Sequence, residues 1–393
     1  PNRTCGTAWA PGSSRPMTQF DFDSPIERRG TNSIKWSQGE QDGTWLEYPT
    51  DERFPHEAEL LPMWLADMDF AAAPAIVDAL AARMQHGVFG YTHHDARFGE
   101  AISDWSIGRH GWDPRPEWIH TNTGVMPAIN LLIQTFTEPG DQVIVQPPVF
   151  HPIPEAAEFN GRVAAPNPLR LVGGRYEMDM DALESLAAES RSRMMLLCSP
   201  HNPVGRVWTH SELAAVAEIC ARRDVLLVSD EIHGDLTLPP GEFVSAGAFT
   251  EHHDRIIVCT GPSKAFNLPA LKLSLTIIPD AELRAAYPPT LRIQNELWAA
   301  NLVGTTALQA AYTKGEPWLE ALLAYLSGKF RYVAEFLADR LPQLSLIHPD
   351  ALYLAWIDCR ALDLGSSELD ARLRAAGLWV EQGATYGEEG EGF

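Results

Sequence analysis

The sequence predicts an α/β fold with a large, doubly wound, mostly parallel sheet and a smaller α+β unit. Short apolar runs ending in polar turns recur between residues 118 and 280, a pattern typical of parallel strands buried on both faces. Helical stripes separate these runs, and the alternation favours the doubly wound arrangement. After about residue 295 a long amphipathic stripe replaces the alternation, which indicates the second unit.

Individual elements follow from local spacing. The predicted strands of the large sheet are residues 143–145, 194–198, 225–229 and 256–259. Apolar residues at i, i+3, i+4 and i+7 predict two helices, through Ile129, Leu132, Ile133 and Phe136 and through Leu213, Val216, Ala217 and Cys220. Thr209 and Glu212 form a capping-box pair before the second helix. Leucines 319, 322, 323 and 326 begin a long helix, and residues 352–357 and 367–376 are predicted as a strand and a helix.

The length of 393 residues suits two domains. We predict a large domain over residues 65–294, and a small domain from residues 17–64 and 295–393. Residues 1–16 begin without Met, are rich in Pro, Gly and Ser, and lack the apolar core of a signal peptide. They are interpreted as a leader or a segment introduced during cloning, with Met17 as the natural start.

Composition narrows the classes of function. The 30 basic and 52 acidic residues give a net charge of −22, which disfavours nucleic acid as a partner. No apolar run is long enough for a membrane span. The five cysteines lack paired spacing, so we expect reduced thiols and a cytoplasmic protein.

Polar residues follow three of the predicted strands. Asn202 lies after the strand 194–198, Asp230 directly after 225–229, and Lys264 shortly after 256–259. Ligands of open α/β sheets bind outside the carboxyl ends of the strands. We therefore expect these three side chains to line one crevice.

This trio matches the needs of pyridoxal 5′-phosphate (PLP). The cofactor requires a lysine amine for its aldehyde, a carboxylate beside its pyridine nitrogen, and a donor to its phenolic oxygen. Lys264, Asp230 and Asn202 suit these places in that order. Singly, each is more often a surface lysine, a helix cap or a turn residue, so the prediction depends on their joint occurrence.

A phosphate site is predicted at the start of the first helix. Gly124, Val125 and Met126 come directly before the stripe that begins at Ile129. Backbone N–H groups at a helix start attract anions, and Pro127 is tolerated in a first turn. These three residues are therefore candidates for the phosphate cup.

Several motifs resemble those of fold-type I PLP enzymes of the class I/II aminotransferase superfamily, and more narrowly the MalY/PatB-type cystathionine β-lyases, or C–S lyases. They are residues 63–70 (MWLADMDF), 89–91 (FGY), 230–233 (DEIH), 262–267 (PSKAFN) and 386–390 (YGEEG). The similarity runs from about Ser33 to Phe393. It implies a lyase that cleaves cystathionine or related cysteine S-conjugates to a thiol, pyruvate and ammonia, with Lys264 as the catalytic residue.

The resemblance also implies further roles. Tyr91 is similar to a tyrosine that reaches the PLP phosphate of the neighbouring subunit, which implies a homodimer. His233 is expected near the phenolic oxygen, Ser263 and Lys272 near the phosphate, and Phe150 stacked on the cofactor ring. Many aminotransferases have Arg in place of Lys272, and relatives often have Tyr in place of Phe150. The arginine that binds the substrate carboxylate is expected beyond Phe393.

Four other interpretations remain open at this point. An aminotransferase of a small amino acid would use the same residues, and a non-catalytic PLP-binding protein would bind the cofactor without turnover. The DEIH run also matches a helicase box, although the sequence has no GxxxxGK[ST] loop. His233, Asp235, His252 and His253 are candidate metal ligands, but without a fixed ligand triad.

Overall fold

The computed structural model describes residues 20–41, 44–47, 60–293 and 301–393. The predicted leader and Met17 lie outside these ranges. The first elements are α1 (Ile34–Ser37), β1 (Gln38–Gln41), β2 (Thr44–Glu47), β3 (Leu61–Pro62), α2 (Pro74–Gln85) and α3 (Ala96–His110). Next come β4 (Ile119–Asn122), α4 (Val125–Phe136), β5 (Gln142–Val145), α5 (Pro152–Phe159), β6 (Val163–Pro166), β7 (Arg170–Val172), β8 (Arg175–Glu177), α6 (Met180–Ala187) and β9 (Ser192–Cys198).

The remaining elements include the last three strands of the large sheet, followed by helices and strands that are not part of it. They are α7 (His210–Arg222), β10 (Leu226–Asp230), β11 (Ile256–Thr260), β12 (Ser274–Ile277), α8 (Ala281–Ile293), α9 (Leu302–Lys314), α10 (Glu316–Arg340), β13 (Ser345–Ile347), β14 (Trp356–Asp358), α11 (Ser366–Ala375) and β15 (Leu378–Trp379). The predicted long helix is α10, and the predicted helix 367–376 is α11.

The large sheet has seven strands in the order β4-β12-β11-β10-β9-β5-β6. Strand β10 pairs in parallel with both β9 and β11, and β5 pairs in parallel with β6 and β9. Strand β12 is antiparallel to β11 and to β4. The predicted mostly parallel α/β sheet is confirmed, and four of its strands lie within two residues of their predicted bounds.

Both faces of the sheet are buried. Alternate residues of β9 and β10, such as Met194 and Val228 against Met195 and Leu227, belong to two separate apolar clusters. One cluster is covered by α4 and α5, and the other by α6 and α7. The predicted stripes lie on the inner faces of α4 and α7, and the Thr209–Glu212 capping box is present.

The predicted strand over residues 352–357 is wrong for residues 352–355. Strand β14 begins only at Trp356, and Leu352 has a φ of 77°. Leu352 is buried for another reason: it packs with Val207 and Phe243. The backbone here bonds to segments that follow β9 and β10, because the N–H of Ala351 reaches Gly205 and that of Leu352 reaches Leu236.

Two other features bear on the site. Strand β3 pairs in parallel with β15, which ties residues 61–62 to the last part of the chain. Among the described residues, no helix has the length and apolar character needed to cross a bilayer.

Candidate active site

Lys264 lies in the turn after β11, and its amine is held by a distant backbone carbonyl. Its Nζ donates a hydrogen bond of 3.0 Å to the carbonyl oxygen of Ala66. Burial lowers the pKa of Lys264, while the negative charges of Asp230 and Asp67 oppose that change. A lowered pKa favours the neutral amine, which is the nucleophilic form.

Asp230 ends β10 at the carboxyl edge of the sheet and is only 7% exposed. In register beside it are Cys198 on β9 and Cys259 on β11. Burial raises the pKa of Asp230 to about 6, against the effects of the Ile232 N–H and the charge of Lys264. Burial and the charge of Asp230 raise the pKa of both thiols, so Asp230 is flanked by neutral sulfur atoms.

Asn202 and Phe150 meet at the same edge. The Phe150 N–H donates to the Asn202 carbonyl at 3.1 Å, and the Asn202 N–H donates to the Cys198 sulfur at 3.3 Å. Because Cys198 is the strand neighbour of Asp230, these contacts bring three of the predicted residues together.

His233 lies three residues beyond Asp230, directly before the short helical turn Gly234–Leu236 that follows β10. Its side chain is buried, and its ring meets Tyr353 edge-on at 6.4 Å between centroids. Burial, together with the charge of Lys264, lowers the pKa of His233 to about 3. The imidazole is therefore neutral near pH 7.

Two buried polar atoms at this edge fit a polar ligand. Within the described part of the chain, the Asn202 Oδ1 and His233 Nδ1 atoms have no hydrogen-bond partner. Buried polar groups are rarely left unpaired in native proteins. Asn202 Oδ1 can only accept, while the same amide carries a donor in its nitrogen and His233 Nδ1 donates or accepts according to its tautomer. With the Lys264 amine and the Asp230 carboxylate, the two side chains provide the donors, acceptors and nucleophile that a PLP ring requires.

The predicted phosphate cup lies at the start of α4. Gly124 precedes the helix, and the first helical bond runs from the Ala128 N–H to the Gly124 carbonyl at 3.1 Å. The N–H groups of Val125 and Met126 precede that bond, so the helix offers them no acceptor. Their binding of phosphate stays a prediction.

Ser263, Lys272 and Tyr91 differ in how they relate to this edge. Ser263 adjoins Lys264 and is half-buried, whereas Lys272 is exposed just before β12 with a left-handed φ of 51°. Tyr91 lies between α2 and α3 and is 97% exposed, so it makes almost no contact within its own chain. The roles of all three stay predictions.

The structure adds supporting contacts that sequence reasoning missed. The Asn267 side chain bonds to the backbone of Met68 in both directions, at 2.7 and 3.0 Å. The Tyr353 hydroxyl donates to the Ala66 carbonyl at 2.9 Å. The motif 63–70 signalled this region, but its partners are remote in sequence, and a tyrosine within an apolar run gives no distinct signal.

Ion pairs fix the same motif from the amino-terminal side. Asp67 pairs with Arg28 at 2.8 Å and with Lys35 at 3.2 Å. Asp69 contacts the same two cations, each at 2.6 Å. The segment that carries Ala66 is therefore held in place by charges as well as by backbone contacts.

Two of the candidate metal ligands, Asp235 and His253, make hydrogen bonds to separate protein groups. Asp235 accepts hydrogen bonds from Trp105 at 3.0 Å and from His110 at 2.9 Å, and His253 contacts the Gly247 carbonyl. Across the described residues, no group of three or more His, Cys, Asp or Glu side chains is arranged to hold a metal.

Glu231 gives a pH-dependent prediction. It is buried beside Asp230 and accepts from the Ser229 hydroxyl and the Ala246 N–H. Burial raises its pKa from 4.5 to about 7. Because the pKa of Glu231 is higher in the folded than in the unfolded protein, its protonation stabilises the fold. That contribution to the free energy of unfolding is complete below about pH 4.5 and is lost as pH rises through 7.

Glu231→Gln cannot ionise, so it escapes that loss. Between pH 5 and pH 8 we expect the free energy of unfolding of the variant to rise relative to that of the wild type by up to about 3 kcal/mol. The difference in Tm between the two proteins should widen accordingly. Glu251→Gln, at an exposed carboxylate, is the control. Parallel pH profiles for Glu231→Gln and wild type would contradict the prediction.

The chain matches the family described as aminotransferase class I and II over residues 64–392, and it belongs to that family. It is 40% identical to cystathionine beta-lyase PatB of Bacillus subtilis over 95% of this chain and 94% of that protein. It is 35% identical to protein MalY of Escherichia coli over 95% and 93%. The structure of cystalysin from Treponema denticola, which contains a PLP cofactor, matches with a TM-score of 0.87, 29% identity and coverage of 95% and 92%.

Proposed function

We propose that this protein is a PLP-dependent C–S β-lyase that cleaves cystathionine or a related cysteine S-conjugate. The observation that carries the proposal is the convergence of the Lys264 amine and the Asp230 carboxylate at one sheet edge, with unpaired polar atoms beside them. The 40% identity to a cystathionine beta-lyase over nearly the whole chain supports the same activity.

Each residue has a distinct task. When bound, PLP supplies an aldehyde for covalent attachment and a ring that withdraws electrons from the substrate Cα. Lys264 would anchor the cofactor through its amine, and its free amine would take the Cα proton as general base. Asp230 would keep the ring nitrogen protonated, and Asn202 and His233 would contact the phenolic oxygen. Phe150 would stack on the ring, and the phosphate would be held by Gly124, Val125, Met126, Ser263 and Lys272.

The leaving group requires little assistance. After the Cα proton is removed, the Cβ–S bond breaks and its electron pair leaves with sulfur as a thiolate. A cysteine-like thiol has a pKa of about 8.5, so the thiolate is a stable leaving group near neutral pH. Water then hydrolyses the remaining three-carbon fragment to pyruvate and ammonia.

The deciding experiment supplies PLP and L-cystathionine without any keto acid. Equal and catalytic amounts of pyruvate and free thiol are expected. If products form only after a keto acid is added, with transfer of the amino group, the enzyme is an aminotransferase. PLP absorbance without product under either condition would identify a non-catalytic PLP-binding protein.

We also propose that two copies pair and that Tyr91 of each reaches the other's phosphate site. The support is its 97% exposure next to Phe89, which is 61% exposed, since such apolar side chains mark interaction surfaces. Tyr91→Ala and Lys264→Ala should each be nearly inactive, but subunits mixed by unfolding and refolding should regain up to about a quarter of wild-type activity. No recovery in verified mixed dimers would contradict this arrangement.

We propose a reducing, cytoplasmic location. In the described part of the chain the four cysteines are free thiols, and three of them are buried. Free buried thiols are typical of reducing compartments. Fractionation of cells followed by immunodetection of the protein tests the location.

A further inference from the structure

Tyr353 and Lys264 share one acceptor. The carbonyl oxygen of Ala66 accepts from the Lys264 amine at 3.0 Å and from the Tyr353 hydroxyl at 2.9 Å. A carbonyl oxygen has two lone pairs, so these two donors use its full capacity. None of the roles proposed above includes Tyr353.

The fold holds Tyr353 in this position. The loop before it is bound to the segment that follows β9, because the N–H groups of Asp350 and Ala351 both donate to the Gly205 carbonyl. A Cβ at Gly205, where φ is 73°, would lie 2.7 Å from the Pro349 side chain, so the two segments are in close contact. The Tyr353 ring meets the buried His233 edge-on.

The ionisable side chains around the Lys264 amine include those of Asp230, Asp67, His233 and Tyr353. The carboxylates of Asp230 and Asp67 favour the ammonium form, while His233 is neutral. Burial and the charge of Asp67 raise the pKa of Tyr353, so the phenol keeps its proton and remains a donor. Asp67 is itself paired with Arg28 and Lys35, which it shares with Asp69.

Because Lys264 and Tyr353 donate to the same carbonyl oxygen of Ala66, the hydrogen bond of one weakens that of the other. A hydrogen bond from an ammonium group to a carbonyl is stronger than one from a neutral amine, and it stabilises the charged form. A second donor withdraws electron density from the same oxygen. The oxygen then has less power to stabilise the ammonium form, and the neutral amine is favoured.

We propose that Tyr353 is a positioning residue, an inference that rests on the proposed function. By donating to the Ala66 carbonyl oxygen together with Lys264, it keeps the lysine available as a neutral amine for PLP. This role concerns the amine before the cofactor is attached, so it can be measured without turnover.

The test compares wild type with Tyr353→Phe, which keeps the ring and its contact with His233. Full-length apoenzyme is mixed with PLP at pH 6 to 10, the adduct is reduced with borohydride, and its formation rate is determined by quenched flow. We expect the variant to react about tenfold more slowly near pH 7 and to match wild type at alkaline pH, because only the fraction of neutral amine changes. The titrations of PLP itself cancel in the ratio of the two rates.

Tyr312→Phe is the matched control, because Tyr312 is buried against Trp105 in a different part of the core; it should follow the wild-type profile. Equal rates for Tyr353→Phe and wild type at all pH values would overturn the proposal. A loss of rate independent of pH would also overturn it, since a merely structural role predicts that result. If wild type forms no adduct at residue 264 by peptide mass mapping, the proposed function itself fails.

Discussion

Replacing Lys264 by Ala should lower kcat/KM for L-cystathionine by at least about 10³-fold, while PLP still binds weakly. The variant loses both the covalent anchor and the base that takes the Cα proton. Weak binding persists because the phosphate cup, Asp230 and Asn202 are unchanged. Pyruvate release measures turnover, and equilibrium dialysis measures bound PLP.

The control for Lys264→Ala is Lys314→Ala, which removes an exposed lysine at the end of α9 and should leave kcat/KM unchanged. A small primary amine added to Lys264→Ala should restore part of the turnover, because it can act as the missing base. Full activity of Lys264→Ala without added amine would disprove the whole assignment.

Asp230→Asn should lower kcat by about 10³-fold, a loss of about 4 kcal/mol of transition-state stabilisation. The amide cannot keep the ring nitrogen protonated, so electrons are withdrawn from Cα less effectively. The variant should nevertheless unfold at the same temperature as wild type or higher. Burial already raises the pKa of Asp230 to about 6, which means that its charge is costly to the fold.

Asp230→Glu is the comparison, since it keeps the charge but moves it by one methylene; its kcat should lie between those of wild type and Asp230→Asn. Thermal melting measures the effect of each substitution on stability, and single-turnover proton release from the substrate Cα measures its effect on the chemical step. A fall in Tm that parallels the fall in kcat would mean that Asp230 acts through stability instead.

Local patterns predicted the elements of the sheet and much of its edge. Buried strands such as β9 and β10 are continuous apolar runs, and α7 has both its stripe and its capping box within 12 residues. Asp230 follows such a run directly, and Asn202 and Lys264 follow within five residues. The site could therefore be inferred because parallel strands bring their carboxyl ends to one edge.

The contacts that complete the site carried no local signal. The antiparallel direction of β12 depends on which strands it joins, and the bond between Tyr353 and Ala66 links residues 287 positions apart. Residues 352–355 look like part of a strand because most of them are apolar, but they lie outside β14, and the Leu352 N–H donates to the Leu236 carbonyl in the segment after β10. Local periodicity reports burial and does not report the partner.

The Ala66 carbonyl has a consequence for the order of folding. Its two donors are 198 and 287 residues away in sequence, and loop closure over such distances is slow compared with the formation of a helix. During synthesis, this oxygen cannot acquire both donors until the ribosome has passed residue 353. In refolding, the reactivity of the Lys264 amine should return after the helical signal, because it reports the meeting of three distant segments.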